Sequence, residues 1–139
     1  MDIPSALIEI QIARGTILHS TMFQNIDHGK FFVIVGVSKD YVAGFFFINS
    51  RVNIHIEGKQ AQLDMQYPLR KKDYSFLHHD SFLCATKIEK IERSRLAETI
   101  NSGITTIIGS MKEEHMEELL EKARESILFS KIQKKQFLY

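Results

Sequence analysis

The chain lacks residues on which several protein classes depend. It has no tryptophan and a single cysteine, Cys84, among 139 residues. One cysteine cannot form an internal disulfide, which excludes a secreted fold held by internal disulfides and fits a reducing cytoplasm. The sequence also has no histidine or cysteine clusters with the spacing of zinc ligands. We therefore expect no metal site and no cofactor.

An excess of one charge and long hydrophobic runs are missing as well. The net charge is +1, so no overall field attracts nucleic acid, and any basic surface has to be local. No apolar run approaches the roughly 18 residues that a membrane helix needs. Residues 1–10 show neither the basic region nor the apolar core of a signal peptide. We expect a cytoplasmic protein without membrane contact, folded as one domain over residues 1–139.

Short strand patterns fill the first half of the chain. Phe31–Val37 and Val42–Ile48 are almost wholly apolar, which predicts two strands buried on both faces. Gly44 inside the second run predicts a bulge or a close approach of another part of the chain. Thr16–Phe23 is rich in β-branched and apolar residues and predicts an earlier strand. Val52–Ile56 alternates between apolar and polar residues, as a further strand would.

Strand patterns give way to helix patterns after Glu92. Asp80–Ile91 is the longest strand candidate, and Ser94 is the expected N-cap of a short helix through Thr99. Several short strands followed by helices predict an α+β, mainly β domain. The expected architecture is a small barrel or strongly bent sheet over about 14–92.

The C-terminal part is expected to pack its helices, over about 93–131, on that sheet. Ser110 and Glu113 have the spacing of a capping box. Apolar residues then recur at helical intervals, which predicts a helix over roughly 110–130 whose apolar stripe is a core or dimer contact. Lys131–Lys135 is interpreted as a basic tail.

Three segments carry a resemblance to a known family. Gly15–Leu18 (GTIL) is similar to an opening "G-D-I-V" strand, and His28–Val35 (HGKFFVIV) looks like a "G-x-R-P" loop that enters an apolar strand. Asp80–Leu96 (DSFLCATKIEKIERSRL) looks like a "D-S-x-x-x-C/D…I…I-x-x-x-R-L" segment. With a long helix after about residue 110, this order of elements resembles the PemK-like (MazF/PemK) toxins, of which the chain would be a divergent member.

The resemblance implies both a fold and an activity. These toxins are SH3-like barrels with a C-terminal helix that cleave single-stranded RNA without a metal. By resemblance, the chain would be a homodimeric toxin held inactive by a small antitoxin protein that lies across the RNA groove. Two departures fall at catalytic positions. Lys30 is followed by Phe31 where catalytic members have Arg-Pro, and Asn49-Ser50 stands where they have Thr-Ser.

Metal-independent RNA cleavage needs a base for the 2′-OH, a cation for the phosphorane and an acid for the leaving 5′-oxygen. Lys30 would stabilise the phosphate, although it lacks the planar fork of arginine. His28 can exchange protons near neutral pH, and Ser50 can donate a hydrogen bond to the phosphate. His28 as a solvated turn residue and Asn49-Ser50 as a plain turn pair are the alternatives.

RNA binding is assigned to a local basic patch and to Asn49. Arg70, Lys71 and Lys72 lie beside Tyr67 and Tyr74, whose rings can stack on bases. A short charge run in a loop is also commonly just solvated. The rival hypothesis is therefore a catalytically inactive SH3-like barrel that serves as a protein- or RNA-binding module.

Two further features are expected to be structural. His78 and His79 would point to opposite faces of a strand and so would not share a metal ion. Cys84 lies in an apolar strand and is expected to be a small buried core residue. Asp80-Ser81 is expected to cap a strand end, with a place in the groove as the alternative.

Overall fold

The structure, a computed structural model, describes residues 11–23, 28–51 and 59–139. Within these ranges the strands are β1 (Thr16–Ser20), β2 (Lys30–Val37), β3 (Val42–Asn49), β4 (Gln66–Leu69), β5 (Ser81–Cys84), β6 (Glu89–Glu92) and β7 (Thr105–Ser110). The helices are α1 (Gln60–Leu63), α2 (Arg93–Asn101), α3 (Glu113–Glu125) and α4 (Lys131–Gln133), and α4 continues as a π-helix over Lys134–Leu138. The expected α+β, mainly β class is confirmed.

Seven strands form one antiparallel sheet among the described residues: six follow the order β4-β5-β3-β2-β1-β7, and β6 pairs with β3 outside this order. β3 pairs with β2 along one side and with two strands along the other. Its last residues, Ile48 and Asn49, pair with β5, whereas Val42–Phe45 pairs with β6. β2 and β3 therefore occupy the middle of the sheet, and the end of β3 meets the start of β2 beside β5.

Both faces of the central strands are covered, as their apolar sequences predict. On one face, Val33, Val35 and Phe46 pack in a core with the apolar stripe of α3. That stripe consists of Met116, Leu119, Leu120 and Ala123. On the other face, β1, β2 and β3 pack against Leu96 and Ala97 of α2. Burial of apolar surface at roughly 25 cal/mol per Å² is the main force that holds these layers together.

The C-terminal segment returns to this core, although Lys131 and Lys135 are exposed. Lys131–Lys135, interpreted as a basic tail, is therefore basic but belongs to a helical segment and is not a free tail. Phe137 and Leu138 in the π-helix are buried. A Cβ on Gly44 would come within 2.7 Å of the Phe137 ring, and a Cβ on Gly36 would come within 2.0 Å of the Phe137 carbonyl oxygen. The close approach predicted at Gly44 is thus confirmed. The missing side chains at these two glycines make room for the segment.

Two arginines hold the same segment. Arg14 donates from Nε to the Val35 carbonyl at 2.7 Å and from Nη2 to the Phe137 carbonyl at 3.0 Å. Arg124 donates from Nε to the Leu138 carbonyl at 2.6 Å. The bonds to Phe137 and Leu138 satisfy carbonyl groups at the end of a helix, where intrahelical partners run out.

In the second half of the chain, the strands and helices begin and end at residues other than those expected. The segment expected as one strand is broken by a turn into β5 and β6. The helix expected over roughly 110–130 spans only Glu113–Glu125, and its N-cap is Lys112 without a side-chain hydrogen bond. The capping box expected at Ser110 is therefore wrong. A complete capping box occurs instead at Ser130 and Gln133.

Other expectations are corrected or lie outside the described residues. The first strand ends at Ser20 and does not reach Phe23. The helix expected from Ser94 begins at Arg93, with Glu92 as its N-cap. Val52–Ile56 lies outside the described residues. Among the residues that the structure describes, no helix has the length and apolar character needed to cross a membrane.

Candidate functional site

A cleft of about 530 Å³ opens where three parts of the sheet meet. The end of β1 and the start of β2 form one wall, the end of β3 forms the second, and the loop before β5 forms the third. The lining residues are His19, His28, Gly29, Lys30, Phe31, Ile48, Asn49, Ser50, Arg51, Phe76, Leu77, His78, His79 and Ser81. The sequence-predicted His28, Lys30, Asn49 and Ser50 therefore share one site.

Lys30 lines the cleft, and its ammonium is held by a neighbouring strand. Its Nζ donates a hydrogen bond to Oδ1 of Asn49 and lies 5.4 Å from the centroid of the Phe47 ring. Lys30 begins β2 and Asn49 ends β3, so the pairing of two central strands places them side by side. Burial lowers the pKa of the Lys30 ammonium, and a weaker interaction with Cys84 opposes this shift.

Gly29 allows a histidine to pack against the loop that precedes Lys30. Gly29 has a φ of +78°, which favours glycine. A Cβ at this position would come within 2.7 Å of the His19 ring. The His19 ring also lies 4.7 Å, centroid to centroid, from Phe31, and Phe31 lies 4.9 Å from Phe76. This row of rings connects the first wall of the cleft with the third.

The loop before β5 is fixed beside the cleft by two hydrogen bonds. Ser81 Oγ donates to the His79 carbonyl at 3.0 Å, and Asp80 Oδ1 accepts from the Lys71 backbone N–H at 2.8 Å. His78 and His79 lie in a bend before β5, and both line the cleft. The expectation that they point to opposite faces of a strand was wrong. Ser81 also lines the cleft, so the groove alternative for Asp80-Ser81 is correct for the serine.

The cleft is basic although the whole chain is nearly neutral. Its lining includes the cations Lys30 and Arg51 and four of the six histidines of the chain. No carboxylate is among the described residues that line it. Such a surface attracts anions.

Sequence reasoning missed two of these residues. His19 was assigned only to a strand, and nothing in the local sequence distinguishes it. Arg51 directly follows Asn49-Ser50, so its place beside that pair was available from the sequence. It carries the guanidinium that is absent at position 30.

The basic patch Arg70, Lys71 and Lys72 does not line the cleft. All three residues are exposed in the turn after β4. The Lys71 backbone bond to Asp80 attaches this turn to the segment that carries His79. The patch is therefore connected to the rim of the cleft.

Tyr67 and Tyr74 are unavailable for base stacking, so that expectation was wrong. Both side chains are buried, and their hydroxyls face α3. Tyr67 donates to Glu118 at 3.1 Å, and Tyr74 is bonded to His115 Nδ1 at 2.7 Å. Burial, helped in Tyr67 by the Glu118 carboxylate, raises the pKa of both phenols. The two tyrosines hold α3 against the sheet.

Replacing Tyr74 with phenylalanine should lower the free energy of unfolding by about 1–2 kcal/mol, because it removes the partner of the Lys112 N–H and of His115. Urea unfolding of the variant measures the loss. Tyr41→Phe is the matched control, since Tyr41 is 62% exposed. A Tyr74 variant as stable as that control would show that these bonds contribute nothing.

Cys84 is half-buried, whereas a small buried core residue was expected. Its Sγ lies 3.3 Å from Thr86 Oγ1 and 3.5 Å from Gln66 Nε2. Among the described residues, no group of three or more histidine, cysteine or acidic side chains is placed to hold a metal ion.

Neither the protein-family models nor the curated proteins with which we compared the chain gave a match. The resemblance to the PemK-like toxins therefore depends on the three sequence segments alone.

Proposed function

We propose that the protein acts on single-stranded RNA as a PemK-like, metal-independent endoribonuclease. The observation that carries the proposal is that Lys30, Asn49 and Ser50 meet in one basic cleft together with His28. These positions are the ones at which the resembling family has its catalytic residues or their neighbours. Lys30 begins β2 and Asn49 ends β3, and the antiparallel pairing of these strands brings both together with His28 and Ser50.

The lining of the cleft supplies each group that RNA cleavage needs. Lys30 would stabilise the charge that develops on the phosphorane, and Asn49 holds its ammonium in place. Arg51 would add the bidentate fork that Lys30 lacks. Ser50 would donate to a phosphate oxygen, and His28 would exchange protons. Phe31 and Phe76 are half-buried aromatic residues that line the cleft, where an unpaired base could stack on them.

The finer fold belongs to the same proposal. We propose that the bent sheet is an SH3-like barrel, supported by β3, which pairs with both β5 and β6 along one side. We further propose a homodimeric toxin that a small antitoxin protein inhibits by lying across the cleft. Light scattering of the purified protein tests the dimer, for which a mass of twice 16.1 kDa is expected.

A second candidate function is RNA binding without cleavage by an inactive barrel. It is favoured because Lys30-Phe31 stands where catalytic members of the resembling family have Arg-Pro. Lysine binds phosphate as a point charge and does not fix two oxygens at once. In this case the cleft would retain affinity for RNA and make no new ends.

Inducible expression tests the proposed toxin activity. Expression of the natural chain should arrest growth and fragment cellular RNA, whereas the Lys30→Ala variant at equal protein level should do neither. Arrest that survives Lys30→Ala would remove Lys30 from the mechanism. Intact RNA together with RNA binding in vitro would favour the second candidate, and neither arrest nor RNA binding would reject both.

The basic patch gives a prediction for binding. Changing Arg70, Lys71 and Lys72 to glutamine should make the dependence of log affinity on log salt concentration less steep by about 2, from the roughly 0.7 expected per contacted phosphate on a single strand. A 2′-O-methyl oligonucleotide, which cannot be cleaved, is the probe. The same change at Lys122, Lys131 and Lys135, which are also exposed, is the control. Equal slopes for the two triple variants would exclude the patch from the RNA site.

A further inference from the structure

We infer that His19 and His79 are the proton-transfer pair of the cleft, one as general base and one as general acid. This inference rests on the proposed function and assigns its acid–base chemistry to these two residues, in place of His28. The resemblance assigns a role to neither residue. Both are identified by their place in the structure.

His19 is held by packing on a strand of the sheet. In β1 it pairs with Phe31 of β2 and with Thr106 of β7. Its ring contacts the Phe31 ring at 4.7 Å and lies against the bare Cα of Gly29. The side chain is half-buried and still lines the cleft. A group on a regular strand, fixed by two neighbours, keeps the precision that catalysis needs.

His79 is held from both sides by hydrogen bonds of its own loop. The Ser81 hydroxyl binds its carbonyl, and the next residue, Asp80, binds the Lys71 N–H. Ser81 itself is only 5% exposed and begins β5. The imidazole of His79 is exposed and lines the cleft. A fixed backbone with an accessible side chain is the arrangement expected of a proton donor or acceptor for a bound substrate.

The two histidines belong to opposite walls. The Phe31 ring lies between His19 and Phe76, and Phe76 is three residues before His79. Lys30 lies next to Phe31 and also lines the cleft, with its ammonium bound to Asn49. A phosphate bound in this cleft would then have one imidazole from the first wall and one from the third. In-line displacement requires this, because the attacking and leaving oxygens lie on opposite sides of the phosphorus.

The step balances with these groups alone. One imidazole takes the proton of the ribose 2′-OH while the 2′-oxygen forms a bond to phosphorus. The bond from phosphorus to the 5′-oxygen breaks, and the second imidazole, in its protonated form, gives a proton to that oxygen. The products are a 2′,3′-cyclic phosphate and a 5′-hydroxyl, and no oxidant, reductant or metal takes part.

The charged and titratable groups that face this pair across the cleft are His28, Lys30, Arg51 and His78. The Asp80 carboxylate lies beside His79 in the chain. Because one imidazole has to be neutral and the other protonated, kcat/KM should follow a bell-shaped pH profile. Each of the variants His19→Gln and His79→Gln should lose one limb of the bell together with about 100-fold or more of the rate.

An RNA with sulfur in place of the bridging 5′-oxygen at the cleaved bond tests the roles directly. A thiolate leaves without protonation, so the variant that lacks the acid should recover to within about tenfold of the natural protein, while the variant that lacks the base should not. Recovery also shows that the variant is folded. His115→Asn is the control, because His115 lies outside the cleft and contacts Tyr74 through Nδ1.

The possible results distinguish failure of the histidine pair from failure of the proposed nuclease activity. Cleavage by both glutamine variants at nearly the natural rate, or loss of rate with recovery of neither variant, would overturn the histidine pair and leave the nuclease intact. Absence of cleavage by the natural protein across the pH range would overturn both. Recovery of one variant and not the other supports the pair and identifies the acid.

Discussion

The variant Phe137→Ala is expected to lower the free energy of unfolding by about 3–5 kcal/mol. Phe137 is 2% exposed, and its ring fills the space over Gly44. Truncation would leave a cavity that the strands cannot close, because β2 and β3 are paired on both sides and their positions are fixed. Denaturant unfolding followed by circular dichroism measures the loss.

The variant Ile132→Ala provides the matched control for Phe137→Ala. Ile132 belongs to the same C-terminal segment but is 71% exposed. Its truncation should therefore change the free energy of unfolding by no more than about 0.5 kcal/mol. Equal effects of the two substitutions would contradict the assignment of the segment to the core.

The variant Lys30→Met should lower kcat/KM for RNA cleavage by about 100- to 1000-fold, the usual effect of removing one group that stabilises transition-state charge. The stability should stay the same or rise. Burial gives the folded state a lower pKa at Lys30 than the unfolded state has, so the charged lysine destabilises the fold at neutral pH. That cost persists below the folded-state pKa and disappears as the pH rises through it towards 10.5. The methionine variant avoids the cost.

The variant Lys30→Arg is the informative partner of Lys30→Met. Arginine keeps the charge and restores the fork that the resembling family has at this position, so cleavage should equal or exceed that of the natural protein. Thermal unfolding of both variants shows whether they are folded. Full activity of a folded Lys30→Met protein would contradict the role of this side chain in the cleft.

The two central strands were predictable because their sequences are apolar on both faces. Phe31–Val37 and Val42–Ile48 are too apolar to have an exposed face, and the structure covers them on both sides. Gly44 was predictable for a similar reason, since glycine in such a strand marks a close approach. The apolar stripe of α3 was equally clear from its period.

The C-terminal segment was misjudged because its basic residues outweigh its two core residues in the sequence pattern. Lys131–Lys135 is basic, but Phe137 and Leu138 follow it and are buried. Their partners, Gly36 and Gly44, lie about a hundred residues earlier, and no local pattern reports contacts over such a distance. Tyr67 and Tyr74 were misjudged in the same way, because only the packing of α3 shows that they are buried.

Only some residues of the candidate site could be predicted from the sequence. Lys30, Asn49 and Ser50 could be named because three segments resembled a family. His19 and His79 could not, since their place in the cleft depends on the pairing of β1 with β2 and on the bonds that fix the loop before β5. A histidine in a strand pattern gives no signal of its own until its neighbours in space are known.

Cleavage of single-stranded RNA in the presence of EDTA tests the central claim most directly. The account predicts that the purified protein cuts the RNA without metal and leaves 2′,3′-cyclic phosphate and 5′-hydroxyl ends, and that Lys30→Met, folded and at the same concentration, leaves the RNA intact. RNA that remains uncut by the natural protein, or that is cut equally by Lys30→Met, would contradict the account.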